Sequence, residues 1–121
     1  MREAVIVSTA RTAIGKAYRG AFNDLEAPTL IGHPIREAVK RAKIDPGEVE
    51  DCIVGASIQQ GSQTFNIGRL GALAGDLPVT VAGMSVDRQC SSGMMTISIA
   101  AKQIVEDHMN VLVAGGVESI S

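Results

Sequence analysis

The chain has 121 residues, 45% hydrophobic and 20% charged, with a net charge of −2. That is enough for one domain with a buried core, and it offers no basic surface for nucleic acid or an anionic membrane. Aromatic residues are limited to Tyr18, Phe22 and Phe65, with no Trp, so neither a base-stacking platform nor an aromatic cage is supplied.

Read in chain order, Ala4–Ser8 (AVIVS) is expected to be a buried strand. Ser8, Thr9 and Arg11 interrupt this apolar stretch too early for a secretory h-region. Arg11–Asn23 reads as a Gly-rich loop whose cations Arg11, Lys16 and Arg19 are expected to be solvated. Pro28 suits the first turn of a helix, and Leu30, Ile31, Ile35, Ala38, Val39 and Ala42 recur at helical spacing. Asp45-Pro46-Gly47 ends that helix with turn chemistry. Cys52–Ser57 (CIVGAS) reads as a second strand and Gln59–Thr64 as a polar loop. Asn66 is placed to cap a short helix over Ile67–Ala74, with Gly75 and Pro78 closing it.

Thr80–Val86 is expected to be a third strand, weakened by Gly83. A long helix is predicted from Cys90 to about Asp107, buried on most faces, with Met94 and Met95 as core filler. Asn110–Ala114 gives a fourth strand, and Gly115-Gly116 a tight turn after it. The order β-α-β-α-β-α-β with continuously apolar strands predicts an α/β fold with a largely parallel sheet. The last strand has little chain after it, so further chain or a partner is expected to complete the sheet. No stretch approaches transmembrane length. Cys52 and Cys90 alone make no disulfide framework, so a reducing, cytoplasmic setting is expected.

The sharpest chemical feature is Asp87-Arg88-Gln89-Cys90-Ser91-Ser92-Gly93. It puts a cysteine where a strand gives way to a helix. The first helical N–H groups lack intrahelical acceptors and the helix dipole adds partial positive charge, both of which favour thiolate. A thiolate attacks well and a thiol leaves well, and thioester exchange needs both in one atom. Small neighbours leave room for an acyl thioester. The alternative reading is that Cys90 is a small packed thiol; no His or Lys lies close in sequence to serve as its base. Cys52, at a strand start, reads as a packed thiol. No Walker or GxGxxG loop is present, and no His/Cys cluster supports a metal.

Val86-Asp87-Arg88-Gln89-Cys90-Ser91-Ser92-Gly93-Met94 resembles the nucleophile segment of thiolases, closest to the degradative 3-ketoacyl-CoA branch. Val5-Ile6-Val7-Ser8 followed by Arg11-Thr12 and Gly15 resembles the family's first strand and loop. Val113-Ala114-Gly115-Gly116-Val117-Glu118-Ser119 resembles its Gly-Gly-x-Glu landmark. Two positions depart from the pattern: Asp87 stands where Asn is usual, and Ala13 where Pro is usual.

The resemblance implies an α-β-α-β-α sandwich of two similar halves, of which residues 1–121 match a part of the N-terminal domain only, with the C-terminal half absent. It implies Cys90 as nucleophile, acyl-CoA and CoA as substrates, no permanently bound cofactor, and no assigned cofactor-binding residue. It also implies a homodimer or tetramer paired through about Met84–Gln89. The family's base, a His in a Gly-His-Pro motif, its second cysteine and a water-holding Asn belong to the later half, so the chain alone is expected to be inactive. Gly32-His33-Pro34 copies the motif's letters within a predicted helix, and His33 is read as a coincidental match; His108 is expected to be a solvated helix-end residue. The competing functions are a β-ketoacyl synthase-like or 3-hydroxy-3-methylglutaryl-CoA synthase-like condensing enzyme and a non-catalytic assembly subunit.

Overall fold

A computed structural model describes residues 1–121. Three parallel strands, β1 (Asp51–Gly55), β2 (Ala82–Val86) and β3 (Leu112–Gly116), form a sheet ordered β2-β1-β3. Gly55 pairs in register with both Val86 and Gly116, so all three strands finish level at one edge. The central strand β1 is buried along its whole length, as its apolar run Cys52–Val54 requires, with the carboxylate of Asp51 buried at its start.

Three helices cover the sheet: α1 (Ala27–Ala42), α2 (Ile67–Ala74) and α3 (Ser92–Val105). The alternation of β1 side chains sorts them into layers. Cys52 and Val54 join one core with Ile31, Ile35 and Val39 of α1 and Ile67 and Ala72 of α2. On the other face, Gln103 of α3 donates to Asp51 Oδ2 at 3.4 Å, and Gly55 abuts the backbone of Ser92 and Gly93. The result is an α-β-α arrangement with α1 and α2 on one side and α3 on the other. Burying Ile31, Ile35 and Val39 contributes about 1.5–3 kcal/mol each.

Local signals in the sequence account for most boundaries. Pro28 lies in the first turn of α1, and Lys43 ends that helix in the left-handed conformation. Asp45 Oδ1 accepts from the Gly47 N–H at 2.7 Å, making the expected turn before β1. Asn66 Oδ1 accepts from the Arg69 N–H at 3.0 Å and so caps α2, which ends at Gly75. Gly83 sits inside β2 because α2 passes against it: an added Cβ would fall 2.5 Å from Arg69 Cα.

Several expectations are corrected. Ala4–Ser8 forms no strand: Val5, Ile6 and Val7 are exposed, and the segment lies outside the sheet. It is held instead by long side chains, Arg41 Nη1 donating to the Thr9 carbonyl at 2.9 Å and Arg2 donating to Asn110 Oδ1. Between it and the outer side of β3 lies an apolar gap of about 770 Å³, bordered by α1 and α3. No ladder spans that width.

The helix α3 starts at Ser92 rather than Cys90, and buries only the stripe Ser92, Thr96 and Ala100. Only one side of it has a sheet to pack on, so Met94 is exposed instead of filling a core. Gly115-Gly116 is the end of β3 rather than a turn after it. Its lack of side chains serves the approach of α3, since an added Cβ on Gly116 would lie 3.1 Å from Gly93 Cα. No helix is long and apolar enough to cross a membrane.

Candidate active site

The level C-terminal edge of the sheet is where Cys90 sits, four residues beyond the end of β2 in the turn leading to α3. Ligand sites of open parallel sheets lie outside this edge, where neighbouring strands leave it in opposite directions. Here β2 and β3 flank β1 on opposite sides. Cys90 is exposed, and it lines an open cleft of about 270 Å³ together with Gly55, Gln89, Ser92, Gly93, Gly116, Val117 and Glu118. Three of these are glycines contributed by β1, β3 and α3, so backbone rather than side chains surrounds much of the sulfur's approach.

The turn holding Cys90 is built from hydrogen bonds on both sides of it. Asp87 Oδ1 accepts from the Gln89 N–H at 2.9 Å. Ser92 Oγ accepts from the Arg88 N–H at 2.8 Å and donates to the Gln89 carbonyl at 2.6 Å. Ser91 Oγ donates to the Arg88 carbonyl at 2.8 Å. Gln89, immediately before the cysteine, adopts φ 49°, a left-handed conformation uncommon for a residue with a side chain. Backbone strain of this kind persists where surrounding bonds over-determine it, and the Asp87 and Ser92 bonds do so here. The Asp87 departure from the usual Asn is thereby accommodated locally, because the turn uses only an acceptor oxygen.

The N–H groups of Cys90, Gly93 and Met94 donate to no protein acceptor. Those of Gly93 and Met94 are unsatisfied donors of the helix start, and that of Cys90 belongs to the turn before it.

The other sequence candidates fall elsewhere. Cys52 is fully buried, and burial, reinforced by the Asp51 carboxylate beside it, pushes its thiol up to about 12. It is a packed thiol with no access to the cleft. His33 is exposed on α1. Gly32 of the same Gly-His-Pro triplet serves helix packing, as an added Cβ would lie 2.7 Å from the Ala74 carbonyl. His108 is exposed after α3, and Arg11, Lys16 and Arg19 are exposed on their loop. No cluster of His, Cys, Asp or Glu is arranged to hold a metal ion.

Glu118, quoted in the sequence only as part of a landmark, lines the cleft with Cys90. Ser57 donates to it from its N–H at 2.9 Å and its Oγ at 2.5 Å, and Ile58 from its N–H at 3.0 Å. Gln63 Nε2 donates at 3.1 Å. Burial pushes this carboxyl up, but hydrogen bonds from Ser57, Ile58 and Gln63 outweigh that and hold it below the ordinary carboxylate value. Gln63 is itself buried, its amide also donating to the Ile58 carbonyl and accepting from the Ser119 N–H. Nothing in the polar run Gln59–Thr64 marks Gln63 as buried; the clue at Glu118 is an acidic residue two positions after a glycine pair at a strand end.

The chain is thus a three-layer α/β unit that brings an exposed cysteine to the carboxyl edge of a parallel sheet, in the turn ahead of a helix. The family model described as the thiolase N-terminal domain matches residues 4–121, and the chain belongs to that family. It is 42% identical over 122 residues to a 3-ketoacyl-CoA thiolase of Bacillus subtilis, covering 100% of this chain and 31% of that one. A 3-ketoacyl-CoA thiolase of Acinetobacter baylyi is 43% identical over 117 residues, with 97% of this chain and 30% of the relative covered.

Among solved structures, the acetyl-CoA acetyltransferase of Bacillus anthracis superposes with a TM-score of 0.87 at 41% identity, over 98% of this chain and 30% of that one. A thiolase of Ascaris suum in complex with coenzyme A gives 0.88 at 29% identity, over 95% and 30%. The chain thus spans about a third of the length of the curated relatives it matches.

Proposed function

We propose that this chain carries the nucleophile of a thiolase-type acyltransferase and is the N-terminal portion of that enzyme's first domain. In the thiolytic direction the Cys90 sulfur attacks the keto carbonyl carbon of a 3-ketoacyl-CoA. The carbon–carbon bond between that carbonyl and the α-carbon breaks, and the electron pair stays on the α-carbon. A proton donor outside this chain completes acetyl-CoA. The acyl group remains on Cys90 as a thioester, and free CoA then attacks it, restoring the cysteine thiol. In the reverse direction, acetyl-CoA acylates Cys90 first. CoA is a substrate in this scheme and no cofactor stays bound.

The observation that carries the reading is Cys90 itself: exposed, in a cleft, on a hydrogen-bonded turn, in a chain of the thiolase family. The free N–H groups of Cys90 and Gly93 are the candidate donors to the oxyanion formed on attack. By itself the chain lacks a general base and a second thiol within the cleft, so we expect no steady-state turnover from it. The same reading includes a cytoplasmic setting and a homodimer or tetramer paired along β2, whose outer side carries no neighbouring strand.

The test is acetyl transfer from acetyl-CoA to the chain, read by intact-mass spectrometry and peptide mapping. One acetyl group on Cys90, absent in Cys90→Ser, is the expected result. Acetylation of Cys90→Ser to the wild-type extent would remove the assignment. Thiolysis of acetoacetyl-CoA should appear only when Cys90 is in an enzyme that also holds the base.

A further inference from the structure

The Glu118 carboxylate lines the same cleft as Cys90, and its first obvious role would be a base for the thiol. Its hydrogen bonds argue otherwise. A carboxylate offers about four lone-pair sites. Oε2 already takes Ser57 N–H and Oγ, and Oε1 takes Ile58 N–H and Gln63 Nε2. Receiving a proton from sulfur would require giving up one of these bonds. The group is also held below the ordinary carboxylate value by the same donors, which makes it a poorer base.

What those bonds do is join two segments. Ser57, Ile58 and Gln63 belong to the stretch that follows β1, while Glu118 follows β3. A second set of bonds runs in parallel: Val117 N–H donates to the Gly55 carbonyl at 3.0 Å, and Ser119 N–H donates to Gln63 Oε1 at 2.6 Å. Gly55 and Val117 line the cleft too. One side of the cleft therefore consists of two chain segments that leave the β1–β3 ladder together at the Val117–Gly55 bond, and beyond it are tied by one ionised carboxylate and one buried amide.

We propose that Glu118 is a positioning residue for the Cys90 site: it ties the 56–63 segment to the end of β3 and so fixes the Gly55–Val117 side of the cleft against which a thioester must lie. The inference rests on Cys90 as the reacting group. It adds to that reading a residue that sets cleft shape without touching the transferred proton.

The experiment uses the 121-residue chain and three variants, Glu118→Gln, Glu118→Asp and Ser57→Ala. Cys90 alkylation rates are measured with a small reagent, iodoacetamide, and a bulky one, N-cyclohexylmaleimide, and their ratio reports cleft shape independently of thiol ionisation. Amide hydrogen exchange is followed at Ser57 and Ile58. The Gln variant turns an N–H donor toward the Ser57 and Ile58 donors, so their exchange should quicken by about ten-fold or more. The rate ratio should change by about three-fold or more, and Glu118→Asp, which keeps the charge, should bring it part of the way back.

A folded Glu118→Gln chain with faster exchange but an unchanged ratio would overturn the proposal, because the tie would then be structural only. If Glu118→Gln fails to fold, Ser57→Ala removes one donor and keeps the charge; a smaller change of ratio supports the proposal and no change overturns it. Acetyl transfer is scored separately. A chain whose alkylation ratio responds to Glu118 but which never accepts acetyl loses the acyltransferase reading and keeps the positioning role. A chain that acetylates on Cys90 with a ratio indifferent to Glu118 does the reverse.

Discussion

Replacing Gly55 with Ala tests the close approach that sets the site. Gly55 ends the central strand, and a Cβ added there would lie 2.6 Å from the Ser92 carbonyl oxygen and 2.7 Å from the Gly93 nitrogen. The shortest contact is 2.4 Å, to the Ser92 carbonyl carbon, and ordinary contact begins near 3.4 Å, so the start of α3 would have to move off the sheet by about 1 Å. The opposing atoms are all backbone, so no side chain can rotate away. Overpacking of this kind costs about 3 kcal/mol at its upper end, and the gain from replacing a strand glycine offsets about 0.5–1 kcal/mol. The expected net loss is about 2 kcal/mol, which lowers the urea midpoint by about 1 M.

Because Ser92 pins the Cys90 turn, the iodoacetamide rate at Cys90 should change along with stability. Gly93→Ala is the matched control, since its added Cβ would sit 3.6 Å from Gly116 Cα, an ordinary contact, on a helix where Ala is preferred. Urea titration followed by circular dichroism compares the two. Equal stability for Gly55→Ala and wild type, or an equal loss in Gly93→Ala, would refute the claim that backbone contact at Gly55 seats α3.

Ser92→Ala removes the acceptor of the Arg88 N–H and the donor to the Gln89 carbonyl; it should cost about 1–2 kcal/mol in chemical denaturation and leave Gln89 free to quit its left-handed conformation. A disulfide reagent at mildly alkaline pH should modify Cys90 quickly and Cys52 only on unfolding, because the Cys52 thiol is buried and raised to about 12; equal rates by mass spectrometry would contradict the fold around β1. The lowered Glu118 carboxyl should contribute stability that is complete above about pH 5, the upper flank of the unfolded carboxyl titration, and is lost as pH falls through its folded value. Thermal melts of wild type and Glu118→Gln should therefore differ at neutral pH and converge in acid.

Much of the architecture was legible because single residues fix single boundaries. Asn66 and Gly75 bracket α2 through one cap and one helix stop, and the apolar run Cys52–Val54 is fully buried as read. The failures share a cause. Val5, Ile6 and Val7 have the composition of a strand, but a strand exists only through a partner, and whether one is within reach is not encoded in the segment. The helical period around Met94 and Ile97 says which residues are apolar, not how many neighbours there are to cover them. The helix α3 starts two residues later than its sequence predicts because Ser92 bonds backward to Arg88 and Gln89, which keeps Cys90 in the turn. At the site, Cys90 stood out by residue type. Gln63 and the four bonds to Glu118 did not, since they join positions more than fifty residues apart in sequence.

The outer side of β3 bears on how this chain behaves when concentrated. Its backbone donors and acceptors are unspent on that side, and bare aliphatic side chains from Ala4–Ser8 stand across a greasy hollow from it. Open edges beside apolar surface are templates for intermolecular strand addition. Handled alone, the chain should be sticky: it should bind hydrophobic dyes while folded and lose monomer as concentration rises. A lysine at Ile6 should improve solubility without altering the Cys90 turn at the far end of the strands.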